Sequence, residues 1–214
     1  MDAQTADITP PPLPDTLPVF PLPGVLLLPR GQLPLNIFEP PYIAMVDDAL
    51  KTNRLIGMIQ PRTDDSLYET GCAGKITSFS ETDDGRYLIT LTGLSRYKIG
   101  NEIEQQNGYR RIQPDWEPFT HDFEEIDCLD LDRAALKNML STYFDAQDLQ
   151  CDMDSIDTAP DEKLITCLSM ICPFDTGEKQ ALLEAKCCRE RAQKFMALLK
   201  MAVHEDGCCG GGCH

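Results

Sequence analysis

Residues 18–42 read PVFPLPGVLLLPRGQLPLNIFEPPY, and this stretch decides the fold class. Proline and glycine interrupt its short apolar runs, a pattern typical of strands and turns rather than of helices. Residues 19–22 and 25–28 are predicted strands, and the prolines at their margins confine them to sheet edges or strand ends. Gly24 and Gly31 are predicted to supply the turns. The chain therefore begins its folded part as a β domain.

The β pattern continues beyond this stretch and contains one helix. Apolar residues at helical spacing follow the prolines at 40 and 41: Tyr42, Met45, Val46, Ala49 and Leu50. The predicted strands are residues 55–60, 72–80, 86–92, 97–99 and 109–112. Gly85 is predicted to form the turn that joins 72–80 to 86–92. These elements predict a mainly antiparallel, barrel-like β domain over residues 17–118.

The remaining chain, residues 119–203, is predicted to be an acidic segment followed by a helical bundle. Thr158 is the predicted cap of a helix through residue 172, and a second helix is predicted to start at Asp175. This second helix is predicted to be long, because a single apolar stripe continues along it: Ala181, Ala185, Cys188, Ala192, Phe195, Leu199 and Ala202. The fold class predicted for the whole chain is α+β.

The charge balance excludes several classes of partner. The chain has 19 Lys and Arg against 35 Asp and Glu, a formal net charge of −16. Nucleic acids and anionic membranes recruit proteins through basic residues, so neither is an expected partner. Residues 1–16 are predicted to be a flexible Pro-rich tail without the features of a signal peptide, and no apolar run is long enough for a membrane helix. We expect a cytoplasmic protein.

The motifs of the β domain resemble those of the N-terminal substrate-binding domain of Lon proteases. The resemblance is specific over residues 17–116, and the helical part fits it by pattern. The positions that carry it are Pro21, Leu22, Pro34, Leu35, Phe38, Glu39, Tyr42, Gly85, Arg86, Gly93 and Arg96. It implies a PUA-like β domain with a helical bundle behind it. Where the family usually has F-E-P-R-Y, this chain has Pro41 in place of the arginine, so an ion pair of that arginine with Glu39 is missing. The Glu39 carboxylate itself is predicted to cap the helix that follows.

The resemblance implies recognition of unfolded or client polypeptide without catalysis, with a chaperone or a protease as a further partner. The sequence has no G-x-x-x-x-G-K-[ST] phosphate loop and no residues after 203 for a protease module, so we expect a stand-alone domain. The predicted binding surface is the groove between the β domain and the bundle, together with leucines of the first segment. Edge strands could accept an extended peptide there. Candidate contact residues are Val25, Leu26, Leu27, Leu28 and Leu33. The alternative is that these residues only fill the barrel core.

Catalysis is not expected. A Cys–His hydrolase needs a thiolate, a base within hydrogen-bond reach and an orienting group. His121 is the one histidine outside the C-terminal end, and no cysteine has a catalytic signature around it. Cys72, Cys128, Cys151, Cys167 and Cys172 are predicted to be buried hydrophobic residues or thiols in a reducing compartment.

The C-terminal residues 204–214 form a Cys/His/Gly tail that supports an alternative function. Imidazoles and thiolates are ligands for zinc and other soft metals, and those available are His204, Cys208, Cys209, Cys213 and His214. Their spacing is not that of a standard zinc finger, so a tail with exposed thiols and thiol redox chemistry remain open. We expect no other cofactor. RNA binding is a third possibility, suggested by PUA folds and opposed by the net charge.

Overall fold

The structure, a computed structural model, describes residues 13–124, 131–146, 156 and 158–208. The N-terminal part contains six strands and one α-helix among these residues. Their bounds are β1 Leu17–Pro21, β2 Gln32–Ile37, α1 Pro40–Leu50, β3 Leu55–Ile59, β4 Thr70–Glu81, β5 Tyr87–Gln106 and β6 Tyr109–Asp115. β1 and β3 pair in parallel, whereas the other pairs are antiparallel. The mainly antiparallel sheet and the α+β class are confirmed.

Five of the strands close into a barrel, and β2 lies outside that closure. The sheet order is β2-β5-β4-β3-β1-β6, and β6 also pairs with β5. β5 closes the ring because it is 20 residues long and pairs with β4 along its first part and with β6 along its second. The two separate strands predicted at 86–92 and 97–99 are therefore one strand. A register shift between Ala73 and Gly74 in β4 accompanies its curvature.

The helix α1 forms as predicted and buries Met45, Val46 and Ala49. Glu39 is its N-cap residue, and the carbonyl of Glu39 accepts from the N–H groups of Tyr42 and Ile43, both at 3.0 Å. Glu39 is thus the N-cap residue, as predicted, and its side chain makes no capping hydrogen bond. The first two helical residues are prolines and have no N–H to offer a carboxylate.

Residues 25–28 are not a strand, contrary to the prediction. They run between two tight turns without joining a ladder. Leu26, Leu27 and Leu28 are 2%, 2% and 0% exposed and belong to the main hydrophobic core. Three consecutive buried side chains do not fit the alternation of a strand with one solvated face. The segment packs in the core that the sheet shares with the helices, where hydrophobic burial rather than strand pairing fixes it.

The C-terminal part contains four α-helices among the described residues, after a 3-10 helix over Glu117–Phe123. Their bounds are α2 Arg133–Ala146, α3 Asp161–Ile171, α4 Thr176–Leu183 and α5 Cys188–Cys208. Asp175 and Glu178 form the capping box at the start of α4, which confirms that helix start. In the described part of the chain, none of these helices combines the length and the apolarity that crossing a membrane requires.

Two details of the helical prediction are wrong. The N-cap of α3 is Pro160, so Thr158 is not its cap; the acidic residues of the first turn stabilise this start instead. The predicted single helix is divided into α4 and α5 by a turn at residues 184–187. The turn directs the carbonyls of Leu183 and Ala185 toward Arg96 of β5, which donates to them at 3.0 and 2.5 Å.

Arg96 joins the barrel to the helices through a buried ion pair. Its Nη2 lies 2.7 Å from Oδ1 of Asp122, and the two side chains are 1% and 6% exposed. Arg96 Nε also donates to Oδ2 of Asp122 at 3.0 Å, and the guanidinium lies 4.5 Å from the ring centroid of Phe119. Because Asp122 follows the barrel and Leu183 belongs to α4, one guanidinium fixes three segments of the chain.

Candidate functional site

A groove of about 680 Å³ lies at the junction of the β part and the helices. Residues 30–34, from the turn before β2 into that strand, form one wall. The helix α3 forms the other wall, mainly with Thr166, Cys167, Met170 and Ile171. The groove is at the place that the sequence predicted, between the β domain and the bundle.

The floor of the groove is apolar because α3 turns Met170 and Ile171 toward β2. Ile171 is 64% exposed, although isoleucine is among the residue types most often buried. Leu33 on β2 is half-buried and packs against the main core. Met170 touches the backbone of Gly31, where a β-carbon would overlap its sulfur. Glycine at this position therefore lets the two walls approach each other.

The rim of the groove is charged. Arg30 Nη1 lies 2.8 Å from Oε1 of Glu162 on α3, and Arg30 Nη2 donates to the carbonyl of Glu124. Arg30 has a φ of 62°, a left-handed backbone conformation that is uncommon for a non-glycine residue. The Arg30 side chain is 41% exposed, and such a pair contributes about 0.2–1 kcal/mol. Lys163 is exposed on the same rim.

The predicted contact residues divide into three groups. Leu26, Leu27 and Leu28 are buried in the core, so their prediction as a contact surface is wrong and the core alternative holds for them. Val25 is partly buried and packs against the same core. Leu33 lines the groove. The sequence missed the contribution of Ile171, and it missed β2 as a strand.

The family-motif positions on the β side surround β2. The rings of Phe20 and Tyr42 are in contact, with centroids 4.3 Å apart and planes tilted by 39°, beside a second depression of about 280 Å³ that Pro21, Leu22 and Leu35 also line. Phe38 borders this depression and is 60% exposed. Most of these positions therefore shape the surface next to β2.

The other motif positions have structural places. Gly85 forms the β4–β5 turn with a φ of 80°, and Arg86 there pairs with Asp84 at 2.8 Å between Nε and Oδ2. Gly93 lies in β5 opposite Gly31 and exchanges hydrogen bonds with the turn before β2. Arg96 belongs to the buried junction.

The described cysteines differ in exposure. Cys72 and Cys172 are buried and Cys167 is exposed, while Cys128 and Cys151 lie outside the described residues. Burial raises the pKa of the Cys72 thiol, which keeps it neutral.

The predicted metal ligands of the tail are only partly described. The backbone of α5 continues through Cys208, so His204 and Cys208 are on a helix rather than in a tail. Cys209, Cys213 and His214 lie outside the described residues. Within the described ranges, no group of three or more His, Cys, Asp or Glu residues is placed to hold a metal ion.

His121 is at the junction and not in the groove. Its Nε2 lies 2.9 Å from Arg96 Nη2 and 2.9 Å from the carbonyl of Lys186. No cysteine is among its hydrogen-bond partners in the described part of the chain. The arrangement is that of a residue that joins segments together.

The fold and the groove define an α+β binding domain, and comparison with known proteins gives its family. The family model for the substrate-binding domain of ATP-dependent protease La (LON) matches residues 16–201. The chain therefore belongs to the Lon substrate-binding domain family. The family's role in substrate recognition is consistent with an open groove in this domain.

Curated relatives extend well beyond the matched region. A Lon protease of Dictyoglomus thermophilum is 27% identical over 209 residues, which cover 89% of this chain and 24% of that protein. A Lon protease of Parabacteroides distasonis is 30% identical over 102 residues, which cover 44% of this chain and 12% of that protein. The chain thus spans about a quarter or less of these relatives.

Two solved structures share the fold. A Lon N-terminal domain protein from Xanthomonas campestris matches with a TM-score of 0.63 and 23% identity, over 85% of this chain and 97% of that one. The N-terminal domain of a Mycobacterium avium complex Lon protease matches with a TM-score of 0.62 and 17% identity, over 86% of this chain and 98% of that one. At these identities the likeness concerns the fold alone.

Proposed function

We propose that this chain binds unfolded polypeptide in the groove between β2 and α3 and does not hydrolyse it. The observation that carries the proposal is the exposed apolar floor formed by Ile171 with Leu33 and Met170. A folded client keeps most large apolar side chains inside, whereas an unfolded chain presents them to such a surface.

The energetic scale fits reversible recognition. Complete burial of one leucine or isoleucine side chain stabilises by about 1.5–3 kcal/mol. Association and ordering of a flexible client cost several kcal/mol, so a groove with few apolar contacts gives a weak complex that exchanges quickly. A charged rim with Arg30, Glu162 and Lys163 keeps the surroundings of the groove hydrated. The net charge of −16 further favours clients with basic residues over acidic ones.

The groove lining gives no support to a hydrolytic function. Among its described lining residues, Cys167 supplies the thiol and none is a histidine. His121 is bound at the junction to Arg96 and the carbonyl of Lys186. A nucleophile needs a base within hydrogen-bond distance, so we expect a bound client to remain intact.

The proposal is tested by titrating a fluorescently labelled, permanently unfolded polypeptide with the protein and measuring anisotropy. The variant Ile171→Asp places a charge on the groove floor and should weaken binding about tenfold or more, which corresponds to about 1.4 kcal/mol. Met201→Asp is the matched control, because Met201 is an apolar residue of α5 with 56% exposure that does not line the groove.

Saturable binding that Ile171→Asp weakens and Met201→Asp leaves unchanged supports the proposal. Equal effects of the two variants would contradict the groove as the binding site. Absence of saturable binding by the unmodified protein would contradict the recognition of unfolded chains.

A further inference from the structure

Within the part of the chain that the structure describes, the outer edge of β2 is an unpaired strand edge beside the groove. On one side β2 pairs with β5 over all six residues, from Gln32 opposite Thr92 to Ile37 opposite Tyr87. β2 is the first strand in the sheet order, so its other side has no strand neighbour among the described residues. The edge therefore offers main-chain groups that no described hydrogen bond uses.

Hydrogen bonds of Gly93 show which groups point outward. The Gly93 N–H donates to the carbonyl of Gly31 at 2.8 Å, and the Gly93 carbonyl accepts from the Arg30 N–H at 2.8 Å. Both main-chain groups of Gly93 thus face the β2 side. Along a strand, the main-chain groups of successive residues point alternately to one neighbouring strand and to the other. Leu91, Ile89 and Tyr87 then also face β2, where their partners are residues 33, 35 and 37. The main-chain groups of residues 32, 34 and 36 consequently point outward.

The position of Pro34 agrees with this assignment. Proline has no N–H, and at an outward-facing position it removes no hydrogen bond from the ladder with β5. Exposed edges are usually protected by charged residues, prolines, bulges or a covering element, and Pro34 is such a residue in β2. The sequence of β2, QLPLNI, has no charged residue. It leaves outward N–H groups on Gln32 and Asn36 and outward carbonyls on Gln32, Pro34 and Asn36.

The two depressions next to β2 follow one another along this edge. The groove is lined by residues 30–34, and the smaller depression by residues 35–39 of the same strand and its continuation. An extended segment of six residues spans about 20 Å. Its main chain would follow β2 from Gln32 to Ile37, and its side chains would alternate between directions, so every second one could enter an apolar depression.

We propose that the client enters as an extended strand that adds to the outer edge of β2, an inference that rests on the proposed function. The class of ligand is an extended segment with apolar side chains at alternate positions and with free N–H groups facing the edge. Main-chain pairing gives affinity without reading a particular sequence. A helical client would be excluded, because its N–H groups are used within the helix.

The test uses the unmodified protein and a peptide taken from the strongest-binding region of the unfolded polypeptide. The peptide has about ten residues, and its sequence does not repeat, so that it binds in one register. A series of peptides carries one N-methyl group each, at successive positions. Strand addition predicts that N-methylation weakens binding about threefold to tenfold at every second position and has little effect at the positions between, because one hydrogen bond contributes about 0.5–1.5 kcal/mol.

A protein variant gives an independent readout. Asn36→Pro removes one outward N–H and should weaken binding of the parent peptide by a similar factor relative to Asn36→Ala, which changes the same lining side chain but keeps the N–H. Uniform tolerance of N-methylation with intact binding of the parent peptide would overturn strand addition and leave the proposed function standing. Failure of the parent peptide to bind would overturn both. A dimer that Asn36→Pro dissociates would also overturn the inference, because a second copy would then occupy the edge.

Discussion

Replacing Arg96 with methionine tests whether the buried pair with Asp122 holds the barrel against the helices. The change removes the 2.7 and 3.0 Å contacts to Asp122 and the hydrogen bonds to the carbonyls of Leu183 and Ala185. It leaves a carboxylate that is 6% exposed without its cation. Loss of one partner of a buried ion pair costs about 3–5 kcal/mol, a large share of a total stability of about 5–15 kcal/mol.

The assay is urea unfolding followed by circular dichroism. With a denaturant slope of about 3 kcal/mol/M, the midpoint of the Arg96→Met variant should fall by at least about 1 M. Arg86→Met is the control, because Arg86 pairs with Asp84 on an exposed turn, where solvent screens the pair and its loss should change stability little. Asp122→Leu added to Arg96→Met should recover part of the loss, since it removes the unpaired buried charge. Equal destabilisation by Arg96→Met and Arg86→Met would refute the reasoning.

Three further predictions concern stability and ionisation. Hydrogen bonds to the Asp48 carboxylate, first that from Tyr109, hold its pKa below the usual range, which an NMR titration of the carboxyl carbon will show. Because the pKa of Asp48 is lower in the folded state, the stability that this group contributes is fully present above its unfolded pKa of about 3.9 and is lost as the pH falls through the folded pKa. A stability difference between the protein and Asp48→Asn that stays constant over this pH range would contradict the prediction. Asp175→Ala removes the capping box of α4 and should cost about 0.5–2 kcal/mol in thermal unfolding, whereas an unchanged midpoint would exclude a role for the cap. Gly31→Ala brings a β-carbon against the Met170 sulfur; because this sulfur is near the end of a flexible side chain that can move aside, the destabilisation should stay at the lower limit for overpacking, about 1 kcal/mol, and adding Met170→Ala should relieve it if that contact is the cause.

The sequence predicted those parts of the fold in which local pattern and burial agree. The helix α1 begins with two prolines and carries the apolar residues at the helical spacing that the sequence indicated. The segment at residues 25–28 failed because an apolar run fits a buried strand and a buried irregular segment equally well. β2 was missed although Leu33, Leu35 and Ile37 alternate with polar residues and proline, which is a strand period. Proline disfavours a central strand, and the edge position of β2 is what accommodates Pro34.

The site was less accessible to sequence reasoning than the fold. The groove depends on the approach of Gly31 to Met170, two residues that are far apart in the chain and show no shared local pattern. The break between α4 and α5 was missed for a similar reason, because the carbonyls exposed there bind Arg96 from the barrel. Such contacts arise from tertiary packing, and periodicity carries no information about them.

The most direct test of the central claim is the alkylation rate of Cys167 with and without the unfolded polypeptide, measured by mass spectrometry of the unmodified protein. Cys167 is exposed and lines the groove, whereas Cys187 is exposed outside it and serves as the internal control. A client in the groove should slow alkylation of Cys167 as it saturates and leave the rate at Cys187 unchanged. Unchanged alkylation of Cys167 at saturating client would contradict binding in this groove.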